Sequence, residues 1–204
     1  MKILIPTDAF PPVCGGSGWS TCELARGLRA RGHDVTIVRP RPGTAAGVRE
    51  ADYDGFRVVE FGAPAPDIPF ARNYYKSEKL TRSLGGYLAT LLRNSRYDIV
   101  HAQHVMTTVA AIDAAQAAGI PVVAPAVDRI ASLVEDGREG LLYDPGRQAE
   151  SMADALVKLK DVELRTRLGS AARERAVRDY SWAAHCKALE AAIQEAQWRR
   201  AHKG

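Results

Sequence analysis

Cysteine is scarce in this sequence. The spacing of its three cysteines, Cys14, Cys22 and Cys186, matches no zinc or redox motif. A sparse and odd set excludes a disulfide-stapled secreted domain and favours a reducing compartment. Long hydrophobic runs are also lacking, since no apolar stretch reaches the roughly 18 residues that a membrane-spanning helix needs. The short apolar start lacks the length and flanks of a signal peptide, so we expect a cytoplasmic protein without a transmembrane segment.

A concentrated charge of one sign is absent as well. The chain has 28 lysine and arginine residues against 24 acidic ones, and the positive residues are spread along it. Nucleic-acid binding would need a denser basic stripe, so we expect no nucleic-acid partner. Aromatic residues make up only 7% of the chain, but a hydrophobic fraction of 46% over 204 residues is enough to bury the core of one large domain.

What the sequence does contain is an alternation of strand and helix patterns. Short apolar runs predict strands at Lys2–Pro6, Val35–Val38, Phe56–Phe61, Asp98–His101 and Pro121–Ala124, with Gly140–Tyr143 as a candidate sixth. Helical spacing predicts helices from Ser17 or Ser20 to Arg31, then over Ser77–Asn94, Thr107–Ala118, Gln148–Leu159, Val162–Arg178 and Ser181–His202. The alternation predicts an α/β fold with a single Rossmann-like, doubly wound parallel sheet of five to six strands.

The remaining segments are predicted as loops and a C-terminal tail. Proline and glycine predict loops over Arg39–Asp54 and Gly62–Tyr75. In the last predicted helix, apolar residues recur at three- and four-residue spacing, namely Cys186, Leu189, Ile193 and Ala196. We therefore expect a helical tail that packs back on the sheet through this stripe.

A glycine-rich turn, Gly15-Gly16-Ser17-Gly18, lies between the first strand and the first helix. Ligands of parallel sheets bind beyond the carboxyl ends of the strands, where glycine lets the backbone approach an anion and a helix N-terminus supplies free N–H groups. The four residues are thus candidates for phosphate binding. The turn is neither a P-loop nor a complete dinucleotide fingerprint, and Arg39 and Arg41 follow strand two in place of a ribose-binding acid. On spacing alone, a tight turn that merely needs glycine explains the segment equally well.

Two strings together resemble the group-1 (family 4) GT-B glycosyltransferases. The first combines Asp8, Pro11-Pro12 and Gly15-Gly16 with Gly32-His33-Asp34-Val35. The second runs from Leu133-Val134-Glu135-Asp136-Gly137 to Gly140 and Asp144-Pro145-Gly146. The resemblance implies that the glycine turn lies near the diphosphate of a nucleoside-diphosphate sugar.

The resemblance also implies acceptor-side candidates, which are Asp8, Tyr74, Tyr75, His101 and His104. For the two tyrosines, a role as loop anchors is favoured over contact with a sugar. For the two histidines, contact with an acceptor and hydrogen bonding within the strand end both remain open. No cysteine, aspartate or glutamate nearby completes a metal set around them, so we expect no metal and no cofactor.

The charged residues with which the family holds its donor are missing. Counting from the string Gly119–Ala124, the positions of the family's two sugar- and ribose-binding glutamates fall on Met106 and Ala114, and that of its histidine falls on Val127. The catalytic residues of this chain, if it has any, are therefore unknown from its sequence.

The resemblance divides the chain in two. Residues 1–124 match the acceptor-side Rossmann-like domain, and residues 125–204 match the end of the donor domain, whose greater part is missing through natural deletion or engineering. We expect both parts to form one globular unit that binds a nucleoside-diphosphate sugar or a glycosyl acceptor. Transfer by the single chain is expected to be very weak or absent, although a homodimer could rebuild a cleft. The alternative is a non-catalytic minimal Rossmann-like domain with a folding or assembly role.

Overall fold

One sheet organises the molecule. The structure, a computed structural model, describes residues 1–12, 14–42, 44–63, 72–103 and 105–201. Within these ranges the strands are β1 (Lys2–Pro6), β2 (Asp34–Pro42), β3 (Gly47–Tyr53), β4 (Phe56–Ala63), β5 (Ile99–His101), β6 (Val122–Pro125) and β7 (Gly140–Tyr143). The helices are α1 (Gly16–Ala30), α2 (Arg72–Asn94), α3 (Val105–Ala118), α4 (Asp128–Leu133), α5 (Gln148–Lys158), α6 (Val162–Tyr180) and α7 (Trp182–Ala201).

The seven strands follow the order β3-β4-β2-β1-β5-β6-β7. All neighbouring pairs are parallel except β3 and β4, which are antiparallel. The predicted doubly wound, mostly parallel α/β sheet is therefore confirmed, and Gly140–Tyr143 is indeed a strand. The sheet has one strand more than the five to six predicted.

The additional strand is β3, which lies inside the predicted loop Arg39–Asp54. That loop prediction is wrong for residues 39–42, because β2 extends to Pro42, and for residues 47–53, which form β3. Asp54 and Gly55 connect β3 to β4 with φ angles of 55° and 75°. Two residues with positive φ form the tight turn that joins twisted antiparallel strands, and Asp-Gly is a preferred sequence for it.

Helices cover both faces of the sheet. On one face, Cys22, Ala25 and Leu28 of α1 share a core with Ala155 and Leu156 of α5. On the other face, α2 and α3 pack against β1, β2, β4, β5 and β6 through Leu84, Leu88, Ala111, Ile112 and Ala115. Apolar burial on both sides explains why these strands read as nearly continuous hydrophobic runs.

Helix α6 crosses the edge of the sheet at which the parallel strands begin. Arg165 lies 3.6 Å from Asp98, which precedes β5. Gly169 packs on Gly119, which precedes β6, so closely that an added Cβ at Gly169 would overlap the Gly119 carbonyl oxygen. Arg175 pairs with the buried Glu139 before β7 at 2.5 Å. Helices α5 and α6 thus pack on the sheet, whereas the prediction assigned this contact to the last helix.

Helix α7 does not pack as its apolar stripe predicts. It lies on α6, and Cys186 is exposed, while Leu189 and Ile193 keep 53% and 49% of their surface in solvent. The reason is that α6 already occupies the edge of the sheet, so α7 forms an outer layer. None of the helices, within the described ranges, has the length and apolar character needed to cross a bilayer.

Candidate ligand site at the carboxyl edge of the sheet

The strand order places a crevice between β1 and β5. From β1 the chain proceeds outward through β2 to β4, and it later returns to β5 and proceeds the other way through β6 to β7. The loops after β1 and β5 therefore diverge at the carboxyl edge. Parallel sheets bind ligands at such a switch point.

The glycine turn forms the N-terminus of α1 at this edge. Gly15 is the N-cap residue, with φ −86° and ψ −169°, and no side chain caps the helix. Gly16 and Ser17 are exposed, and an added Cβ at Gly15 or Gly16 would meet nothing within 4 Å. The first N–H groups of a helix have no intrahelical acceptor, and they carry the positive end of its dipole. The turn thus presents open, electropositive backbone to solvent.

Gly18 serves a different purpose from the two glycines before it. It is buried, and an added Cβ would lie 2.5 Å from Cβ of Cys14 and 3.3 Å from the carbonyl carbon of Ala9. Glycine is needed here so that α1 can approach the loop after β1. Of the four predicted phosphate-binding residues, Gly15, Gly16 and Ser17 face open space, whereas Gly18 sets the packing.

Asp8 lies in the loop after β1 and holds two elements together. Its Oδ1 accepts a hydrogen bond of 3.0 Å from the Thr107 N–H, in the first turn of α3. A carboxylate at this position satisfies a helix-terminal donor and complements the positive end of the helix dipole. Thr7, at the end of β1, donates to the Ala9 carbonyl at 2.8 Å. The structure therefore brings Asp8 to the crevice but gives its carboxylate a role in fixing the loop.

His101 ends β5 and lies in the interior. It is fully buried, and its ring stacks on Tyr143 of β7 with 6.0 Å between centroids and 14° between planes. Burial raises the pKa of Tyr143 to about 12. His104 lies outside the described residues. Tyr74 and Tyr75 belong to the first turn of α2, so their predicted placement in a loop is wrong; the last proline, Pro69, precedes them and nothing after it interrupts a helix.

Gln103 is a site residue that the sequence analysis missed. It lies two residues beyond β5, and within the described residues its buried Oε1 has no hydrogen-bond partner. It borders a cavity of about 300 Å³, whose other lining residues are Ser20, Leu24, Gln148, Ala149 and Met152. A buried acceptor without a partner is costly unless water or a ligand satisfies it. The string Ile99-Val100-His101-Ala102-Gln103 held a signal, because a polar side chain directly after a buried parallel strand lies at the ligand edge.

Arg39, at the end of β2, joins the sheet to the loop that precedes the glycine turn. Its Nη1 donates to the Phe10 carbonyl at 2.5 Å and to the Pro11 carbonyl at 3.3 Å. Its Nε donates to Oε1 of the buried Glu60 on β4 at 3.1 Å, while Arg41 and Arg49 each lie 3.3 Å from Oε2. The Arg39 hydrogen bond holds the pKa of Glu60 below its ordinary value.

The crevice has groups that can bind an anion. It lacks groups for acid–base chemistry at two positions that correspond to polar residues of the family. Ala114 is buried, and Val127 is 37% exposed; neither side chain can bind a hydroxyl or move a proton. Among the residues that the structure describes, no group of three or more histidine, cysteine or acidic side chains could hold a metal ion. Exposed backbone N–H groups and the Gln103 amide therefore dominate the chemistry of this edge.

Residues 15–180 match the model of the glycosyl transferase 4-like domain. The chain belongs to this family. Its membership agrees with the resemblance carried by the glycine turn and by the strings near residues 133–146. The match begins at Gly15 and covers α1, every strand from β2 onward and the helices through α6.

Individual relatives are similar over part of their length. The D-inositol 3-phosphate glycosyltransferase of Corynebacterium glutamicum (strain R) is 42% identical over 83 residues, which are 40% of this chain and 19% of that family member. Anabaena HepE, solved with UDP and glucose, has a TM-score of 0.49 at 17% identity. The alignment covers 86% of this chain and 43% of the HepE chain. An E. coli trehalose-6-phosphate structure with UDP-2-fluoroglucose has a TM-score of 0.46 at 11% identity. The alignment covers 78% of this chain and 43% of the E. coli chain.

Proposed function

We propose that this glycosyl transferase 4-like chain binds the diphosphate of a nucleoside-diphosphate sugar at the N-terminus of α1. The observation that carries the proposal is the exposed turn of Gly15 and Gly16, uncapped by any side chain and open to the approach of an anion. Its place at the switch point of a doubly wound sheet supports the same conclusion. The Gln103 amide lines the same cavity as Ser20 of α1, and we propose that it binds the remainder of the ligand.

We further propose that residues 1–124 correspond to the acceptor side and residues 125–204 to the end of a donor domain. Leu141, Tyr143 and Leu168 of the second part share one core with Ile3 and Ile5 of the first, which supports a single folded unit. Turnover by the single chain is proposed to be very weak or absent, because Ala114 stands where the family has a donor-binding glutamate and Val127 stands where its first domain has a histidine. A second copy of the chain could supply the facing wall of a cleft.

Titration calorimetry with UDP and with GDP tests the binding proposal. We expect the wild type to bind one of the two nucleotides, and Gly16→Leu to weaken binding at least about tenfold because the side chain blocks the exposed N–H groups. The matched control is Gly86→Leu on α2, where an added Cβ also meets nothing within 4 Å. Thermal melting of both variants should stay close to that of the wild type.

The absence of nucleotide affinity in the wild type would contradict the proposal, as would equal affinity in Gly16→Leu. Either result would favour the alternative, a non-catalytic minimal domain with a folding or assembly role. One observation favours that alternative, since Asp8 and His101 are both engaged in holding the fold. A separate assay of UDP or GDP release from UDP- and GDP-sugars should include D-inositol 3-phosphate, the compound after which the Corynebacterium relative is named.

A further inference from the structure

A groove separates α1 from α5 on one face of the sheet. Helix α1 contacts β2, whereas α5 contacts β6 and β7, so that β1 and β5 lie beneath the space between the two helices. The groove contains a cavity of about 280 Å³. Leu24, Ala149 and Met152 border both this cavity and the one beside Gln103, which makes the groove continuous from one edge of the sheet toward the other.

The middle of the groove is apolar and roomy. Leu28 and Leu156 form its floor and are 5% and 7% exposed. Gly27 on α1 and Ala153 on α5 face each other across it, and such small side chains leave the space between the helices unfilled. Binding of an alkyl group in such an apolar channel is favourable, because it removes apolar surface from water.

One end of the groove is positively charged. Arg31 at the end of α1, Lys160 after α5 and His33 before β2 line it. The pKa of His33 is lowered by burial and by the positive charges of the Met1 amine, Lys160 and Arg31, and no carboxylate contributes. In the part of the chain that the structure describes, neither Arg31 nor Lys160 forms an ion pair. The Arg31 Nη1 donates only to the carbonyl of Gly27, at 2.8 Å.

We propose that the groove between α1 and α5 binds a single-chain anionic amphiphile of the fatty-acid type. Its carboxylate would lie between Arg31 and Lys160, and its alkyl chain would run along Leu28 and Leu156 toward Met152. A rise of about 1.5 Å per residue places Ser20 about 16 Å from Arg31 along α1, which suits an alkyl chain of medium length. The proposal does not depend on nucleotide binding, because the charged end is at the opposite end of α1 from Gly15 and Gly16.

Calorimetric titration of the full chain with dodecanoate, below its micelle concentration, tests the proposal. We expect binding that strengthens from butanoate to dodecanoate by about three- to fourfold per added methylene buried. Gly27→Leu should weaken dodecanoate binding at least tenfold by filling the groove, and Ala153→Phe should do the same from the side of α5. Both positions accept a larger side chain, since Ala153 is exposed and a Cβ at Gly27 would lie 3.4 Å from its nearest neighbour.

The charged end is tested by the double variant Arg31→Gln/Lys160→Gln. It should bind dodecanoate about tenfold more weakly, while its affinity for the uncharged decanol equals that of the wild type. Lys158→Gln is the control for the loss of positive charge in the double variant. Gly86→Leu is the control for the added side chain in the two groove-filling variants. Nucleotide affinity, if the wild type has it, should be unchanged in all five variants, which separates this site from the one at the glycine turn.

Three results would overturn the proposal. The first is the absence of dodecanoate binding by a wild type that melts cooperatively. The second is equal binding by the wild type and both groove-filling variants. The third is a concentration-dependent dimer that Gly27→Leu abolishes, without dodecanoate affinity, which would assign the groove to a second copy of the chain.

Discussion

At the scale of single residues, Arg39 links the sheet to the candidate site. Its side chain, 19% exposed, spans from the 5% exposed Glu60 to the carbonyl groups of Phe10 and Pro11. A buried carboxylate is tolerated only where hydrogen bonds and positive charge replace its lost hydration. A charge pair inside the sheet therefore helps to fix the loop that leads into the glycine turn, in addition to the hydrogen bond of Asp8.

We predict that Arg39→Met lowers the free energy of unfolding by about 2–3 kcal/mol at pH 7, because one oxygen of the buried Glu60 loses its partner. Urea denaturation measures the change. Arg49→Met is the matched control, since this arginine is 68% exposed, and it should cost less than about 1 kcal/mol.

The loss of stability caused by Arg39→Met should also depend on pH. The pKa of Glu60 is lower in the folded chain than its ordinary value of 4.5, so the pair stabilises the fold above that value. The stabilisation is lost as the pH falls from 4.5 through the lower folded pKa. The difference between wild type and Arg39→Met should therefore shrink in acid, and a difference that is constant from pH 7 to pH 3 would contradict the assignment.

At the scale of elements, the contact between α6 and the amino edge of the sheet depends on the absence of a side chain at Gly169. We predict that Gly169→Val destabilises the fold by about 3 kcal/mol, because its Cβ would overlap the backbone of Gly119 and α6 would have to move. Gly86→Val is the control, since an added Cβ there is in open space. Thermal unfolding monitored by circular dichroism compares them, and equal midpoints would show that α6 is free to shift.

The elements also show what a sequence can and cannot predict. Six of the seven strands were predictable, because burial on both faces makes the runs around Ile3, Val58 or Val122 apolar throughout. Strand β3 was not predictable, because most of its residues are exposed and three of the seven are charged, and only the Asp54-Gly55 turn indicates it. The burial of the α7 stripe was predicted wrongly, since periodicity identifies an apolar face without revealing that another helix already covers the surface it would need.

The candidate site divides in the same way. The position of the glycine turn at the carboxyl edge follows from chain order alone. The distinction between Gly18, which packs on Cys14, and the open Gly15 and Gly16 needs three-dimensional contacts. The same is true of Gln103, whose role depends on Ser20 and Gln148, residues that are distant in sequence and adjacent around one cavity.

At the scale of the whole molecule, the two predicted parts of the chain cannot be separated. β7 pairs with β6, His101 stacks on Tyr143, and α6 reaches back to Asp98 before β5. Residues from both sides of position 124 thus share one sheet and one core. Helix α7 stands apart from this unit, since it lies on α6 with Leu189, Ile193 and Trp198 about half or more exposed.

We predict that removal of residues 182–204 leaves the fold intact. The midpoint of thermal unfolding should fall by only about 2–4 °C, the equivalent of about 1 kcal/mol for a chain of this size. A shortened chain that also lacks α6, ending at Lys160, is the contrasting variant and should not fold cooperatively. A fall of more than about 10 °C on removing α7 alone would show that this helix belongs to the core unit.

The outermost strand, β3, has a consequence for how copies of the chain can meet. Ala51 and Tyr53 pack partly against the core, whereas the charged Arg49, Glu50 and Asp52 are exposed along the strand. An open strand offers its backbone N–H and C=O groups to any neighbour, and charged side chains oppose such pairing. These charges thereby disfavour the addition of a second copy of the chain to this border of the sheet.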